Sequence, residues 1–265
     1  MPTIRANGLN IAYHEQGDGA PLVLIRGYAN SGALWYDQAP DLSAHFRVIA
    51  MDNRGTGDSD KPEAPYTIAD MAGDVIGIVE RLDLGAAHLL GISMGGMIAM
   101  QAALDAPQTV RSLVLGCTTC EGTRGFNPDP KVAEMFKTLP ELSDEDNVRR
   151  SVPVLFSDKT IRERPEICDR YVRESLKYRP PMSTFVNQMK AIARFDLCDR
   201  LSEIVQPTFI LHGEGDLLIR PDMARRLHEA IPGSKLELMR GLGHLFFMEE
   251  AASFNRSVIE FLKGL

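Results

Sequence analysis

The sequence has no apolar segment long enough to cross a membrane. Residues 89–104 form its longest uncharged stretch, which contains four glycine or serine residues at its centre. This stretch is shorter than the ~20 residues that a membrane-spanning helix needs. The first residues also lack a basic segment followed by an apolar one, which would mark a secretory signal. We therefore expect a soluble, cytoplasmic protein with no membrane partner.

Basic residues are fewer than acidic ones. The chain has 29 Lys and Arg residues against 36 Asp and Glu residues, which gives a formal net charge of −7. Nucleic-acid-binding proteins usually present a basic face, so we expect no nucleic-acid partner. A length of 265 residues is compatible with one large α/β domain, so the length does not require a second domain.

Cysteine is also scarce. Of the four cysteines, Cys117 and Cys120 form a C-x-x-C motif, while Cys168 and Cys198 stand alone. No second C-x-x-C and no nearby Cys/His pair completes a zinc site, and the motif does not open a thioredoxin-like unit. The pattern favours four free thiols in a reducing compartment over redox or zinc chemistry. With no metal site and no phosphate-binding loop, we predict no cofactor.

Apolar runs and amphipathic segments alternate along most of the chain. A strand, a helix and another strand in succession are typical of a mostly parallel sheet covered by helices on both faces. Residues 9–16 and 21–25 flank a Gly-Asp-Gly sequence, which predicts a hairpin. The further predicted strands are 46–51, 87–92, 110–116, 208–213 and 235–239. The predicted helices among them are one within 31–42, then 67–82, 94–106, 221–230 and 251–263.

The alternation is interrupted after about the sixth strand. Residues 121–194 carry no strand signal and instead offer helical segments at 131–138, 144–156, 166–177 and 183–193. An all-helical insertion at this point predicts a cap over the carboxyl edge of the sheet, where open α/β sheets bind ligands. The sequence thus predicts a core domain of residues 1–120 and 195–265, with residues 121–194 as a helical cap.

A G-x-S-x-G motif joins a predicted strand to a predicted helix. Gly91, Ser93 and Gly95 occupy its fixed positions. The turn is so tight that side chains two residues before and after the serine would collide, and it exposes the serine hydroxyl at the top of the sheet. The alternative is a nucleotide-binding turn, but the G-x-G-x-x-G fingerprint is missing. Ser93 is therefore the predicted nucleophile.

A serine nucleophile needs a base and an acid that orients the base. Asp216 follows a buried strand in the sequence HGEGD, and His244 lies on a loop between the last strand and the last helix. Both come after Ser93 in the order serine, acid, histidine. Glu214 is the rival acid, and we interpret His212, at the end of a strand, as a structural histidine. The predicted catalytic residues are Ser93, Asp216 and His244.

Acyl transfer also needs donors for a developing oxyanion. One is the backbone N–H of Met94, the residue after the nucleophile. The other is expected from the loop that begins at Arg26, where Gly27 permits unusual backbone geometry. The backbone N–H of Tyr28 is the predicted second donor.

Four motifs now make the chain resemble the α/β-hydrolase fold family, in the style of 3-oxoadipate enol-lactonases, cofactor-free haloperoxidases or perhydrolases, and aryl esterases. These motifs are DNRGTGDS at 52–59, GISMGG at 91–96, HGEGD at 212–216 and Gly243-His244. The resemblance spans nearly the whole chain, with the cap as its poorly matched part. It implies a mostly parallel eight-stranded sheet, and a structural role for the Asn53-Arg54-Gly55 turn in supporting the oxyanion loop.

One position departs from the family pattern. Most relatives carry His-Gly at the start of the oxyanion loop, whereas this chain has Arg26-Gly27. The arginine either braces the loop or directs its charge at an anionic group of the substrate. The departure concerns the class of substrate and leaves the predicted catalytic residues unaffected.

A serine at the turn disfavours haloalkane dehalogenases and epoxide hydrolases, since those family members use an aspartate there. We expect hydrolysis of a carboxylic ester or lactone of a small, largely apolar substrate through an acyl-enzyme on Ser93. A thioesterase or carbon–carbon bond hydrolase with the same residues is an alternative, as is a ligand receptor with little turnover. Apolar cap residues line the pocket or form the cap's own core: Met135, Phe136, Leu155, Phe156, Phe185 and Met189.

Overall fold

Eight strands form one sheet in the order β1-β2-β4-β3-β5-β6-β7-β8 in the computed structural model, which describes residues 1–137 and 142–265. β2 runs antiparallel to β1 and β4, and the other neighbouring strands are parallel. The predicted mostly parallel eight-stranded sheet is therefore confirmed. The strands are β1 (Thr3–Ala6), β2 (Leu9–Gln16), β3 (Pro21–Ile25), β4 (Arg47–Met51), β5 (Ala87–Ile92), β6 (Val110–Gly116), β7 (Thr208–Gly213) and β8 (Lys235–Met239).

Helices cover both faces of the sheet. Alternate residues of β3 belong to opposite apolar clusters, Val23 and Ile25 to one and Leu22 and Leu24 to the other, as expected of a strand buried on both faces. Within the described residues the helices are α1 (Ala39–Ser43), α2 (Ile68–Arg81), α3 (Met94–Asp105), α4 (Pro130–Met135), α5 (Asp144–Arg149), α6 (Val152–Leu155), α7 (Asp158–Glu163), α8 (Pro165–Lys177), α9 (Met182–Ala193), α10 (Asp222–Ala230), α11 (Phe246–Glu249) and α12 (Ala251–Lys263).

The predicted hairpin between residues 9–16 and 21–25 is wrong. β4 lies between these two strands, because β3 pairs in parallel with both β4 and β5. β2 instead forms a hairpin with β1, a strand that the sequence reading missed. Its turn is Asn7-Gly8, with φ of +46° and +82°. An Asn-Gly pair with two positive φ values is a common two-residue hairpin turn, so this signal was available in the sequence.

The segment between β6 and β7 is helical in the part that the structure describes. It contains α4 to α9, and the predicted helix over 144–156 is divided into α5 and α6. The predicted helix over 131–138 ends at Met135, and Thr138 lies outside the described residues. The proposed division into a core of 1–120 and 195–265 and a cap of 121–194 stays a prediction.

A disulfide joins the two ends of this helical segment. Cys120, just before it, is bonded to Cys198, just after it, across a sequence separation of 78. The expectation of four free thiols is therefore wrong for this pair, while Cys117 and Cys168 are free and buried. The prediction of a cytoplasmic location loses the support it took from free thiols and stays a prediction. Among the described helices, none has the length and apolar character needed to span a membrane.

The disulfide makes a prediction about thiol counts and stability. A thiol reagent should titrate two of the four cysteines in the unfolded, unreduced chain, and all four after reduction. Because a crosslink restricts the unfolded chain, the Cys120→Ser/Cys198→Ser variant should lose about 4 kcal/mol of unfolding free energy in urea. Reductant should destabilise the wild type and leave that variant unchanged; four reactive thiols without reduction would contradict the pairing.

Candidate active site

Ser93 occupies a sharp turn between β5 and α3. Its φ is +58°, a left-handed conformation that is strained for a non-glycine residue. A Cβ atom on Gly91 would lie 2.2 Å from the carbonyl oxygen of Gly95, and one on Gly95 would lie 2.1 Å from that of Ile25. The turn therefore accepts only glycine at these two positions, for the steric reason expected from the motif.

Two hydrogen bonds fix the Ser93 backbone in this conformation. Its N–H donates to the carbonyl oxygen of Gly116 at 2.8 Å. The Thr118 hydroxyl donates to the Ser93 carbonyl oxygen at 2.7 Å. Both partners come from the end of β6 or the residues after it, so the neighbouring strand holds the strained turn in place.

Asp216 and His244 meet at the same edge of the sheet. His244 Nδ1 lies 2.8 Å from Asp216 Oδ2, and both side chains are buried. The other oxygen, Oδ1, accepts hydrogen bonds from the backbone N–H groups of Leu218 and Ile219 at 2.8 and 3.0 Å. Glu214, the rival acid, is exposed. The geometry thus pairs His244 with Asp216.

Burial raises the pKa of the Asp216 carboxyl, but its histidine contacts outweigh this effect. The charge interaction with His244 and the hydrogen bonds from His212 and His244 bring the pKa well below the usual carboxyl range. Asp216 is consequently ionised at neutral pH. A buried carboxylate on Nδ1 fixes which ring nitrogen carries the proton and leaves the other free to act as a base.

His212 touches the acid as well, a contact that the sequence reading missed. Its Nε2 lies 3.0 Å from Asp216 Oδ2 and 3.1 Å from the Ile219 carbonyl oxygen. The only sequence signal was the spacing of four residues between His212 and Asp216. Asp216 is therefore held by two histidines.

The loop after β3 lies against the serine. A Cβ on Gly27 would sit 3.1 Å from Ser93 Cβ and 3.6 Å from its Oγ. Tyr28 and Met94 both line the cavity that Ser93 and His244 face. Neither of their backbone N–H groups donates a hydrogen bond to another described residue. Two unpaired amide donors thus belong to residues that line the same cavity as Ser93.

A glutamine from α9 holds this loop in position. The Gln188 side-chain oxygen accepts the N–H of Ala29 at 2.7 Å, and its Nε2 donates to the Arg54 carbonyl oxygen at 3.2 Å. Ala29 has a φ of +56°, so its peptide orientation needs such a partner. Asn53 Nδ2 adds a bond to the Arg26 carbonyl oxygen at 2.9 Å. No motif in the sequence marked Gln188, because its contact joins residues 159 apart.

A buried glutamate connects the histidine loop to the helical segment. Glu249 Oε1 accepts the Gly243 N–H at 2.6 Å, and its Oε2 accepts both the N–H and the hydroxyl of Ser157. The Leu245 N–H also donates to the Leu155 carbonyl oxygen at 2.8 Å. The loop that carries His244 is therefore fixed on one side to Leu155, the last residue of α6, and on the other, through Glu249, to Ser157. Sequence reasoning missed Glu249, whose helix α11 it did not predict.

Ser93, His244 and the loop after β3 face one cavity of about 160 Å³. Of the apolar residues predicted to line a pocket, Met135, Phe136, Leu155 and Phe185 do so. Phe156 is instead buried in the apolar core, with its ring centre 5.5 Å from that of Tyr171. Both apolar and polar side chains line the cavity, and the hydroxyl of Ser93 and the ring of His244 lie at its wall.

Comparison with known proteins agrees with this architecture. The family model of the alpha/beta hydrolase fold matches residues 20–251. A relative from Variovorax paradoxus (strain S110), named "Putative carbamate hydrolase RutD", is 32% identical over 260 residues, covering 96% of each chain.

Two solved structures superpose over nearly the whole chain. The enol-lactonase from Burkholderia xenovorans LB400 has a TM-score of 0.87 and 25% identity, covering 99% of this chain and 100% of that one. Est816, described as an N-acyl homoserine lactone degrading enzyme, has a TM-score of 0.83 and 30% identity, covering 100% of both chains.

The environment of Asp216 predicts a pH-dependent stability. A carboxyl whose pKa is lowered by folding stabilises the protein above its unfolded pKa of about 4, and this contribution is lost as the pH falls towards the folded pKa. Asp216→Asn should therefore cost about 2 kcal/mol of unfolding free energy at pH 7 and clearly less at pH 3. Urea unfolding at both pH values measures the difference. Glu214→Gln, at an exposed position, is the control, and a deficit for Asp216→Asn that is as large at pH 3 would contradict the prediction.

Proposed function

The chain belongs to the alpha/beta hydrolase fold family, and from this we propose that it is a serine hydrolase that cleaves a carboxylic ester or lactone through an acyl-enzyme on Ser93. One observation carries the proposal. Ser93, held in a left-handed turn, faces the same cavity as His244, whose Nδ1 is bonded to the buried carboxylate of Asp216. This is the arrangement that turns a hydroxyl into a nucleophile.

The reaction begins with proton transfer from the Ser93 hydroxyl to His244. Ser93 Oγ attacks the carbonyl carbon, and the N–H groups of Tyr28 and Met94 bind the resulting oxyanion. The tetrahedral intermediate collapses, and the leaving alcohol takes the proton from His244. Water then gives a proton to His244 and attacks the acyl-enzyme; the bond to Ser93 Oγ breaks, His244 returns the proton to that oxygen, and the acid is released. Asp216 stabilises the protonated ring in both steps.

The cavity and the relatives support the choice of substrate class. A volume of about 160 Å³ suits a small acyl group, and the apolar side chains of Met135, Phe136 and Phe185 suit its carbon chain. The two solved relatives are named for lactones, an enol-lactonase and an enzyme that degrades N-acyl homoserine lactone. The name of the Variovorax relative, a carbamate hydrolase, also describes hydrolysis at a carbonyl group.

Covalent labelling tests the nucleophile. A fluorophosphonate probe should modify Ser93 of the folded protein, as read by peptide mass spectrometry, and should fail on Ser93→Ala. Ser175→Ala is the matched control, because it removes another hydroxyl that lines the same cavity, and it should label like the wild type. Labelling at a different serine, or none on the folded wild type, would overturn the proposal.

Ester turnover tests the acid. Asp216→Asn should lower kcat for a short p-nitrophenyl ester by about four orders of magnitude, since the asparagine favours the wrong ring tautomer of His244. Glu214→Gln should retain activity within about threefold of the wild type, because an exposed substitution removes no contact with the histidine. The proposed roles would be wrong if the two variants lost activity equally.

A further inference from the structure

Arg26 is a buried cation at the wall of the candidate active site. It directly follows β3, it is 1% exposed, and it lines the same cavity as Ser93 and His244. Its Nε and Nη1 nitrogens have no hydrogen-bond partner among the described residues. A buried, unpaired guanidinium is costly, because its N–H groups have lost water without gaining acceptors.

A second buried arginine shows how this fold neutralises such a charge elsewhere. Arg54 donates two hydrogen bonds of 2.6 Å to the carboxylate of Asp74, which is also buried. Arg26 has no such carboxylate partner in the described part of the chain. The difference separates an arginine whose charge is paired within the fold from one whose Nε and Nη1 donors have no acceptor in the described chain.

The groups that face Arg26 supply no negative charge. Burial lowers the pKa of Arg26 to about 10, so the guanidinium stays protonated at neutral pH. Its titratable neighbours are Tyr171, Tyr36 and Cys117. Burial raises the pKa of Tyr36 to about 12, and it also raises those of Tyr171 and Cys117. All three are therefore neutral when Arg26 is charged.

Aromatic rings stabilise the cation only in part. The guanidinium carbon lies 5.0 Å from the ring centres of both Trp35 and Phe247. Cation–π contacts favour the charge, but they leave the N–H donors without acceptors. The rings also fix the side chain, so a ligand would meet a guanidinium that is already in position.

Hydroxyl groups from the helical segment lie on the same cavity. The Tyr171 hydroxyl lies beside those of Ser151 and Ser175, and all three residues line the cavity together with Arg26. The Ser151 hydroxyl already donates to the Val148 carbonyl oxygen at 2.6 Å, whereas Ser175 Oγ has no partner among the described residues. A guanidinium with hydroxyl donors nearby is a typical environment for a carboxylate, which accepts several charge-assisted hydrogen bonds.

We propose that Arg26 binds a carboxylate group of the substrate, so that the esters or lactones cleaved at Ser93 are anionic and carry this group within a few atoms of the scissile carbonyl. The turnover part of this inference rests on the proposed hydrolase function, whereas the binding part does not. The apolar walls then accommodate the carbon chain between the carboxylate and the reacting carbonyl.

A pair of matched esters tests the specificity. The wild type should hydrolyse p-nitrophenyl hydrogen glutarate with a kcat/KM at least tenfold above that of its neutral methyl ester. Arg26→Met should lower kcat/KM for the anionic ester by about 50-fold, the loss expected for a buried charge-assisted pair, and should change the neutral ester by less than about threefold. Arg26→Lys, which keeps the charge, should recover part of the loss.

Arg179→Met is the matched control. Arg179 also lines the cavity, but it already forms an ion pair with Asp144 at 3.1 Å. Its removal should leave the preference for the anionic ester unchanged. If Arg26→Met slowed both esters equally, or if the wild type did not distinguish them, Arg26 would only brace the loop and the proposal would be overturned.

Binding without turnover separates this inference from the proposed function. In the Ser93→Ala background, calorimetry should detect binding of glutarate and not of glutaramide, and Arg26→Met should weaken the glutarate Kd at least tenfold. Binding that depends on Arg26, together with no fluorophosphonate labelling of the wild type, would reject the hydrolase proposal and retain the anion site. Labelling of Ser93 with no binding preference for glutarate would retain the hydrolase proposal and reject the anion site.

Discussion

The backbone around Ser93 is packed too closely to admit side chains, and the rest of the site depends on this crowding. Gly91 and Gly95 meet within the turn, Gly95 meets the end of β3, and Gly27 meets Ser93 itself. The turn at Ser93, the loop after β3 and the start of α3 are thereby forced into mutual contact. The two residues with unpaired N–H groups, Tyr28 and Met94, come to line the same cavity as Ser93 as a direct result.

Crowding of this kind needs support from outside, because Ser93 and Ala29 both have positive φ values. The Ser93 backbone accepts a hydrogen bond from Thr118 and donates one to Gly116, and the Ala29 N–H donates to Gln188. Backbone strain at a functional site persists only where neighbouring contacts over-determine it. Residues at the end of β6 therefore stabilise the turn, and a residue of α9 stabilises the loop.

Much of the sheet could be predicted from the sequence, because buried parallel strands read as continuous apolar runs with helices between them. β3, β5, β6, β7 and β8 have the predicted bounds. Ser93, Asp216 and His244 were identified as candidates because residues that follow parallel strands share one edge. Contacts between distant residues, such as those of Gln188 and Glu249, left no local signal. Nor did the pairing of Cys120 with Cys198, since sequence spacing does not reveal which thiols meet.

The contacts of Glu249 limit how far the helical segment between β6 and β7 can be replaced by that of a relative. One carboxylate binds both the loop of His244 and the residues after α6. A helical segment transplanted from a relative would disturb the loop of His244 unless it brought equivalent donors at the position of Ser157. The segment between β6 and β7 is thus not an interchangeable module. Changes in it are constrained at this junction and at Gln188 of α9, and are freer at exposed positions such as those of the ion pairs Lys137–Glu134 and Arg149–Glu145.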